Sequence, residues 1–349
     1  MPSTMSGVLL TGHGGPEKLV WSDTIPVPRP GPGEALVRVR AAGVNNTDIN
    51  TRIGWYAKSV TGATGEGGGA ADDGGWAGAI AFPRIQGGDL CGEVVGVGPG
   101  VDRGLIGRRV TCPINQPMPA EGAPLRFLAL GSEMDGAFAE YCRVDADQLF
   151  DVTPSPLSDV EIGAMPCAFG TAWNMIARAG VAGGDRVLVT GASGGVGLAA
   201  VQLACVKGAR VTGISSGDKA DAVRAAGAEQ VIARNAVPEP GGYSVVIDIV
   251  GGEGFAARLE ALVPGGRYAV SGAVAGPMVT ADLRTIYLND LTVFGCTHQP
   301  KAVFAGLVGL INAGRVRPFV SKTYPLRDIA AAQAEFLTKR LPGKLVLIP

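Results

Sequence analysis

Hydrophobic and polar positions follow a period of two through the first part of the chain and give way to strand and helix patterns in alternation further on. Residues 7–11 and 19–22 read as a hairpin, the prolines of 26–33 stiffen the next loop, and 34–41 alternates as a half-buried strand. The β pattern resumes at 82–98, 108–112 and 136–144, with glycines spaced as at the bends of a small curved barrel, while 113–135 reads as a Pro-rich connection. Around 153–156 the pattern changes. A largely helical stretch at 159–179 leads into strands at 186–190, 209–215, 230–233, 243–250, 266–272 and 291–297, with helices at 196–207, 221–226 and 254–262 between them. That alternation predicts an α/β, doubly wound parallel sheet at 153–298. A helix at 301–313 and a strand at 344–348 return the chain to the first domain, a β-barrel expected to comprise 1–152 and 299–349.

The most informative chemistry lies between two of those strands. Gly191, Ala192, Ser193, Gly194, Gly195, Val196 and Gly197 form a glycine-studded turn that opens a helix. Glycine tolerates positive φ and lets backbone approach a ligand, so Gly191 can make the tight turn, Gly194 can admit a pyrophosphate and Gly197 can let the helix pack on the strand. A helix starting near Gly195 points unpaired N–H groups and the positive end of its dipole at phosphates. Glycine-rich turns are common, but this one sits in the strand–turn–helix context that a dinucleotide site requires. An NAD site usually ends its second strand on an acid that holds the ribose 2′-hydroxyl. Here that strand ends on Ser215 and Ser216, with Lys219 just beyond and Arg234 closing the next run. Hydroxyls and cations suit a 2′-phosphate, so the expected cofactor is NADPH; a solvated lysine beside two turn serines is the other reading.

Composition narrows the partners. The 349 residues are enough for two domains, and 30 basic against 31 acidic residues give a formal charge of −1, without the electrostatic footprint of a nucleic-acid or anionic-membrane binder. A small-molecule substrate is expected. The six cysteines, at 91, 112, 142, 167, 205 and 296, form no Cys-x-x-Cys pair, so neither a disulfide framework nor a zinc knuckle is expected. No run of 18 apolar residues and no secretory signal at 1–10 is visible, and the expected setting is cytoplasmic. Between the β runs, 58–81 is glycine-rich with Trp76 its one large apolar side chain beyond the ends; it reads as a surface loop, either a tolerated insertion or a lid.

Ordered motifs now accumulate: Gly136 to Tyr141 (Gly-Ala-Phe-Ala-Glu-Tyr), Gly170-Thr171-Ala172-Trp173, the turn at 191–197, Asp248-Ile249-Val250-Gly251-Gly252 and Gly343-Lys344-Leu345-Val346-Leu347. On these the chain resembles the medium-chain dehydrogenase/reductases over nearly its whole length. The resemblance implies a GroES-like catalytic β-barrel and a Rossmann nucleotide domain, with Thr171, Asp248 and Val250 joining the turn at the cofactor. It also implies where a catalytic zinc would sit: a Cys at the position of Asn45, a His at Gly88, and a Cys or Asp at Cys167. Only Cys167 survives, and Asp89 matches the acid after the His. The structural zinc lobe needs four close cysteines where this chain has Cys112 alone, so no metal is expected.

What remains is similar to the zinc-independent quinone oxidoreductases and enoyl-thioester reductases. Asn45, Asn46, Thr47, Asp48 and the downstream Tyr56 resemble their Asn-Pro-x-Asp motif and tyrosine, with Asn46 in place of the proline. The implied reaction is NADPH-dependent reduction of a quinone or a carbonyl-conjugated double bond, with Asn45 and Tyr56 meeting the charge on the carbonyl oxygen. As a cap amide and a packing aromatic these two residues have a purely structural reading as well. Two rival functions stay open: an alcohol dehydrogenase with an unusual zinc site, and a non-catalytic, crystallin-like NADPH-binding protein. A homodimer through the strand at 291–297 is implied by the same resemblance.

Overall fold

The computed structural model describes residues 1–65, 74–76, 78–117 and 127–349. Two compact units emerge: Met1–Val60, Gly65–Cys167 and Phe304–Pro349 form the first, Thr61–Thr64 and Ala168–Val303 the second.

The first unit opens on the expected hairpin, β1 (Thr4–Leu10) antiparallel to β2 (Leu19–Pro26). β3 (Glu34–Gly43) is the spine of a second sheet and leads through Val44 and Asn45 into α1 (Asn46–Ile53). β4 (Arg84–Ile85) joins the free edge of β1, β5 (Cys91–Val97) pairs antiparallel with β3, and β6 (Arg109–Thr111) with β5. Within the stretch expected as a plain connection the structure forms a further hairpin, β7 (Asn115–Pro117) with β8 (Phe127–Ala129). Short runs of three residues escape a period-two reading. β9 (Tyr141–Asp145) pairs antiparallel on the opposite edge of β3 from β5, and β10 (Phe150–Asp151) closes on β6. Arg38 and Arg40 alternate outward from β3 onto Glu93 of β5, while Ala35, Val37 and Val39 face a core shared with Leu90, Val94, Val110, Ile114 and Phe138.

α2 (Asp159–Gly163) also belongs to this unit. It lies so close on β3 that a Cβ at Gly163 would fall 2.7 Å from the carbonyl oxygen of Ala41. As a compact unit it runs to Cys167 and resumes at Phe304. The change of pattern at 153–156 marks the end of the strands, whereas helical packing decides where the unit ends.

The second unit carries α3 (Pro166–Arg178) from Ala168 onward, β11 (Arg186–Val189), α4 (Gly195–Val206), β12 (Arg210–Ser215), α5 (Ala220–Ala225), β13 (Gln230–Ala233), β14 (Tyr243–Asp248), α6 (Phe255–Glu260), β15 (Leu262–Val270), α7 (Leu283–Tyr287), β16 (Thr292–Gly295) and the start of α8 (Lys301–Asn312). Its sheet, all of whose residues are described, is parallel throughout with order β13-β12-β11-β14-β15-β16. This is the doubly wound arrangement the alternation predicts, and its strand order reverses between β11 and β14. The central strands are buried on both faces, hence the unbroken runs Val187, Leu188, Val189 and Val245, Val246, Ile247.

The chain then supplies the first unit with β17 (Val320–Pro325), α9 (Ile329–Leu337) and β18 (Lys344–Ile348). β18 lies between β17 and β3, parallel to one and antiparallel to the other.

Candidate functional site

In the second unit the glycine turn follows the central strand β11, at the strand-order reversal. Gly191 has φ +55°, a conformation that favours glycine, and its carbonyl accepts the Gly194 N–H at 3.0 Å. Ala192 N–H bonds the Ile214 carbonyl of β12 at 3.0 Å, fixing the turn to the neighbouring strand. A Cβ at Gly197 would lie 2.2 Å from the Gly191 oxygen, so only glycine lets α4 pack on the turn. At Gly194 a Cβ would meet nothing nearer than 3.5 Å, and this residue caps α4 without any side chain. The amides of Gly195, Val196 and Gly197 therefore precede the first intrahelical donor, the Leu198 N–H on the Gly194 carbonyl at 2.9 Å, and have no acceptor within the helix, the arrangement that suits a pyrophosphate. Ala192 and Ser193 are buried beneath, and Val250 lies over the turn, its Cγ2 3.1 Å from the point a Gly191 Cβ would occupy. Sequence reading overlooked Gly213 of β12, where a Cβ would fall 2.9 Å from the Ala192 Cβ. Its place in an apolar strand hid it. Thr171 is half-buried on α3, outside the turn.

Asp248, implied as a cofactor contact, is 0% exposed and fully occupied by the protein. Its Oδ1 accepts from Thr190 Oγ1 (2.6 Å), Val250 N–H (2.9 Å) and Gly251 N–H (3.2 Å). Its Oδ2 accepts from Arg258 (2.8 Å) and from Tyr268 Oη. It holds the loop that carries Val250 and has no oxygen left to offer a ligand.

The β12 tip differs from expectation in one residue. Ser215 is buried and its hydroxyl donates to the Ser216 carbonyl at 3.3 Å, so it does not face a ligand. Ser216 follows it out of the sheet. Lys219 is only 7% exposed; burial first, then the neighbouring Arg234, pulls its ammonium below the ordinary lysine value, with Asp218 acting the other way. Asp218, which a search for an acid at the strand tip passes over because it stands three residues later, is exposed. The Ser216 hydroxyl, then Lys219 and Arg234, hold its carboxyl below the usual range. Two cations at this tip fit a 2′-phosphate.

In the first unit the chain gathers a buried charge cluster around the start of α1. Asp89 is 0% exposed and Lys344 3%. Lys344 Nζ donates to Asp89 Oδ2 (2.9 Å), Val44 O (3.0 Å) and Asn45 Oδ1 (2.5 Å), which uses all three ammonium protons. Asp89 accepts also from Asn45 Nδ2 (2.9 Å) and from the Cys167 N–H (2.6 Å). Asn45 is expected from the sequence to hold a substrate oxygen; its amide is instead engaged at both ends, and its structural reading is the one the geometry favours. Its N–H bonds Asp48 Oδ2 at 2.7 Å. Burial, reinforced by Asp89, pushes the Asp48 carboxyl up to about 7 despite that bond and the Lys344 charge.

The same contacts test whether the residues suit a catalytic zinc. A Cβ at Gly88 would fall 2.2 Å from Ile114 Cδ1, so the position expected for a histidine is filled by the core. Asn45 and Asp89 are committed to Lys344. Among the described residues no three His, Cys, Asp or Glu side chains converge as a metal site, and His13 bonds the Thr51 carbonyl at 3.0 Å through its ring nitrogen. The donor set does not fit the ion.

Tyr56 is half-buried beside this cluster. Its hydroxyl donates to Thr47 Oγ1 at 3.0 Å, and burial pushes it up to about 12, so it stays protonated. Its ring stacks on Trp76, with centroids 6.1 Å apart and planes 5° from parallel, and meets Trp55 edge-on. Trp76 in turn meets Phe127 edge-on at 6.2 Å. The glycine-rich loop thus sends one aromatic ring to the proposed donor. The lid reading of that loop falls largely on 66–73 and 77, outside the described residues.

Comparison with known proteins places these features. A model of the alcohol dehydrogenase GroES-like domain matches residues 31–154, and a zinc-binding dehydrogenase model matches 219–347. Acryloyl-coenzyme A reductase of Metallosphaera sedula is 29% identical over 333 residues, covering 92% of this chain and 93% of that protein. Quinone oxidoreductase of Rattus norvegicus is 27% identical over 361 residues, covering 99% and 98%. Among solved structures, a provisionally described alcohol dehydrogenase from Sinorhizobium meliloti 1021 superposes with a TM-score of 0.89 at 39% identity, covering 100% of this chain and 98% of the other. The two units are accordingly a GroES-like domain and a Rossmann domain. No described helix is long and apolar enough to cross a membrane.

Proposed function

Since the chain belongs to the medium-chain dehydrogenase/reductase superfamily, alcohol dehydrogenase-like, and is an oxidoreductase that depends on a pyridine nucleotide, we propose that it uses NADPH to reduce a quinone or a carbonyl-conjugated double bond without a catalytic zinc. The observation that carries this reading is the Lys344–Asp89–Asn45 cluster, which commits to an internal ammonium the residues that would otherwise face a metal. The cationic tip formed by Lys219 and Arg234 supports the phosphorylated cofactor.

The nicotinamide, when bound, supplies the hydride. The chain's own residues hold and orient. Gly195, Val196 and Gly197 offer amides to the pyrophosphate, and Lys219, Arg234 and Ser216 meet the 2′-phosphate. With Asn45 engaged, Tyr56 is the donor for the carbonyl oxygen: by turning its proton from Thr47 it stabilises the charge that develops there. Conjugated acceptors suit a site with a hydroxyl and no Lewis acid, because their charge spreads over an enolate or quinol. The relatives named for acryloyl-coenzyme A and for quinones act on acceptors of this kind. The protein also pairs with a second copy along β16, the edge of the parallel sheet; Met278, Leu283, Tyr287 and Leu288, in the segment that precedes β16 in sequence, are exposed.

The test is NADPH oxidation by chelator-treated protein against quinones, enones, enoyl thioesters and simple aldehydes. Turnover of a conjugated acceptor is the expected result. Activity confined to alcohols and aldehydes and restored by zinc overturns the reading in favour of a metal dehydrogenase. Tight NADPH binding with no turnover of any acceptor leaves a nucleotide-binding protein.

A further inference from the structure

We propose that Asp218 is a specificity-determining residue of the nucleotide site, an internal anion that shares the cationic tip of β12 with the cofactor and limits how strongly the protein prefers a 2′-phosphate. The proposal rests on the NADPH reading above.

The sheet register makes the arrangement. β12 and β13 are parallel with Ser215 opposite Ala233, so the next residues, Ser216 and Arg234, leave the sheet side by side. A single 3₁₀ turn, Gly217–Lys219, follows, closed by the Lys219 N–H on the Ser216 carbonyl at 3.1 Å. Lys219 is buried, Arg234 and Asp218 are exposed, and Asp218 stands on the turn between Ser216 and Lys219, its carboxyl favoured by the charges of Lys219 and Arg234. The cations that would meet a 2′-phosphate are therefore cations whose field a carboxylate of the protein itself already shares.

Two effects follow. Lys219 and Arg234 repel each other, and Asp218 relieves that repulsion in the free protein. A phosphate dianion arriving at the tip meets one unit of negative charge already there and gains less than two cations alone would give it. A cofactor with a bare ribose meets the opposite situation: Asp218 can accept from its 2′-hydroxyl, the task performed elsewhere by an acid at the strand end. Asp218 thus pulls the site toward tolerance of both nucleotides while the cations pull it toward the phosphorylated one.

The experiment measures binding, independent of turnover, by calorimetric titration of the full chain with adenosine 2′,5′-bisphosphate, 5′-AMP, NADPH and NADH. Asp218 is exposed and makes no core contact, so Asp218→Asn leaves the fold intact. In Asp218→Asn the 2′-phosphorylated ligands bind roughly fivefold tighter and NADH binds more weakly, and the gain shrinks as salt rises. Arg234→Gln moves the 2′-phosphorylated ligands toward the affinity of their unphosphorylated counterparts. If Arg234→Gln does so but Asp218→Asn leaves the ratio unchanged or weakens the phosphorylated ligands, Asp218 is a structural turn residue and the proposal falls while the NADPH reading stands. If the unaltered protein binds both classes equally and Arg234→Gln changes nothing, the NADPH reading itself falls.

Discussion

Asp48 keeps a proton that an ordinary carboxyl loses near 3.8, because burial and the facing Asp89 outweigh the Asn45 N–H and the Lys344 charge. Its folded value, about 7, exceeds the unfolded one, so the folded protein binds the extra proton between the two. The contribution is fully present below pH 4 and is lost as pH rises toward 7. A rise of about three pH units, at about 1.4 kcal/mol each, makes the loss about 4 kcal/mol at most. Asp48→Asn has no such dependence. Its stability relative to the unaltered protein should climb from pH 4 to pH 7 in urea titrations, and parallel curves would show that Asp48 ionises normally. Tyr56→Phe removes the proposed donor and keeps the stack on Trp76, so kcat should fall on the order of 10²-fold with little change in NADPH binding; full turnover would remove Tyr56 from the mechanism. Both residues stand in one motif in the sequence. Their surroundings do not, because Asn45 meets Lys344 from 299 positions away and Gly88 is answered by Ile114 packing into its place. Residue type was readable, and partner was not.

At the scale of elements, local chemistry decided what could be read. The strands Gln230–Ala233 and Lys344–Ile348 coincide with their expected bounds, and the glycine turn sits where its spacing put it, since each depends on a period or a φ preference written within a few residues. The β7–β8 hairpin and the assignment of α2 to the first unit depend on surfaces supplied from elsewhere. The turn separates packing from binding. Gly197→Ala forces a Cβ to within 2.2 Å of the Gly191 oxygen and should cost about 1–3 kcal/mol in thermal or urea unfolding together with nucleotide affinity. Gly194→Ala has ordinary clearance in the fold, so it should leave stability nearly unchanged while weakening NADPH by obstructing the approach to the α4 amides. Equal losses of stability in the two variants would refute this division.

For the molecule as a whole, β16 ends the parallel sheet with one side unpaired among the described residues, and Val293 on it is 43% exposed. Sheet edges bearing apolar side chains invite a second strand. Sedimentation should give a dimer for the unaltered chain and a monomer for Val293→Asp, and a monomer for both would set the proposed pairing aside. The overall plan was legible because two kinds of period divide the chain; the proposed pairing rests on one edge strand whose exposure only the folded sheet reveals.

Lys344 answers Asp89 from 255 residues away, on a strand that also completes the edge of β3. During synthesis the second unit, Ala168–Val303, is complete before β18 leaves the ribosome. Until then Asp89 has no cation and β3 lacks a neighbour, and a buried carboxylate without its partner is strongly unfavourable. The first unit therefore cannot complete its buried ion pair or this edge of β3 until β18 has been made, after all of Ala168–Val303.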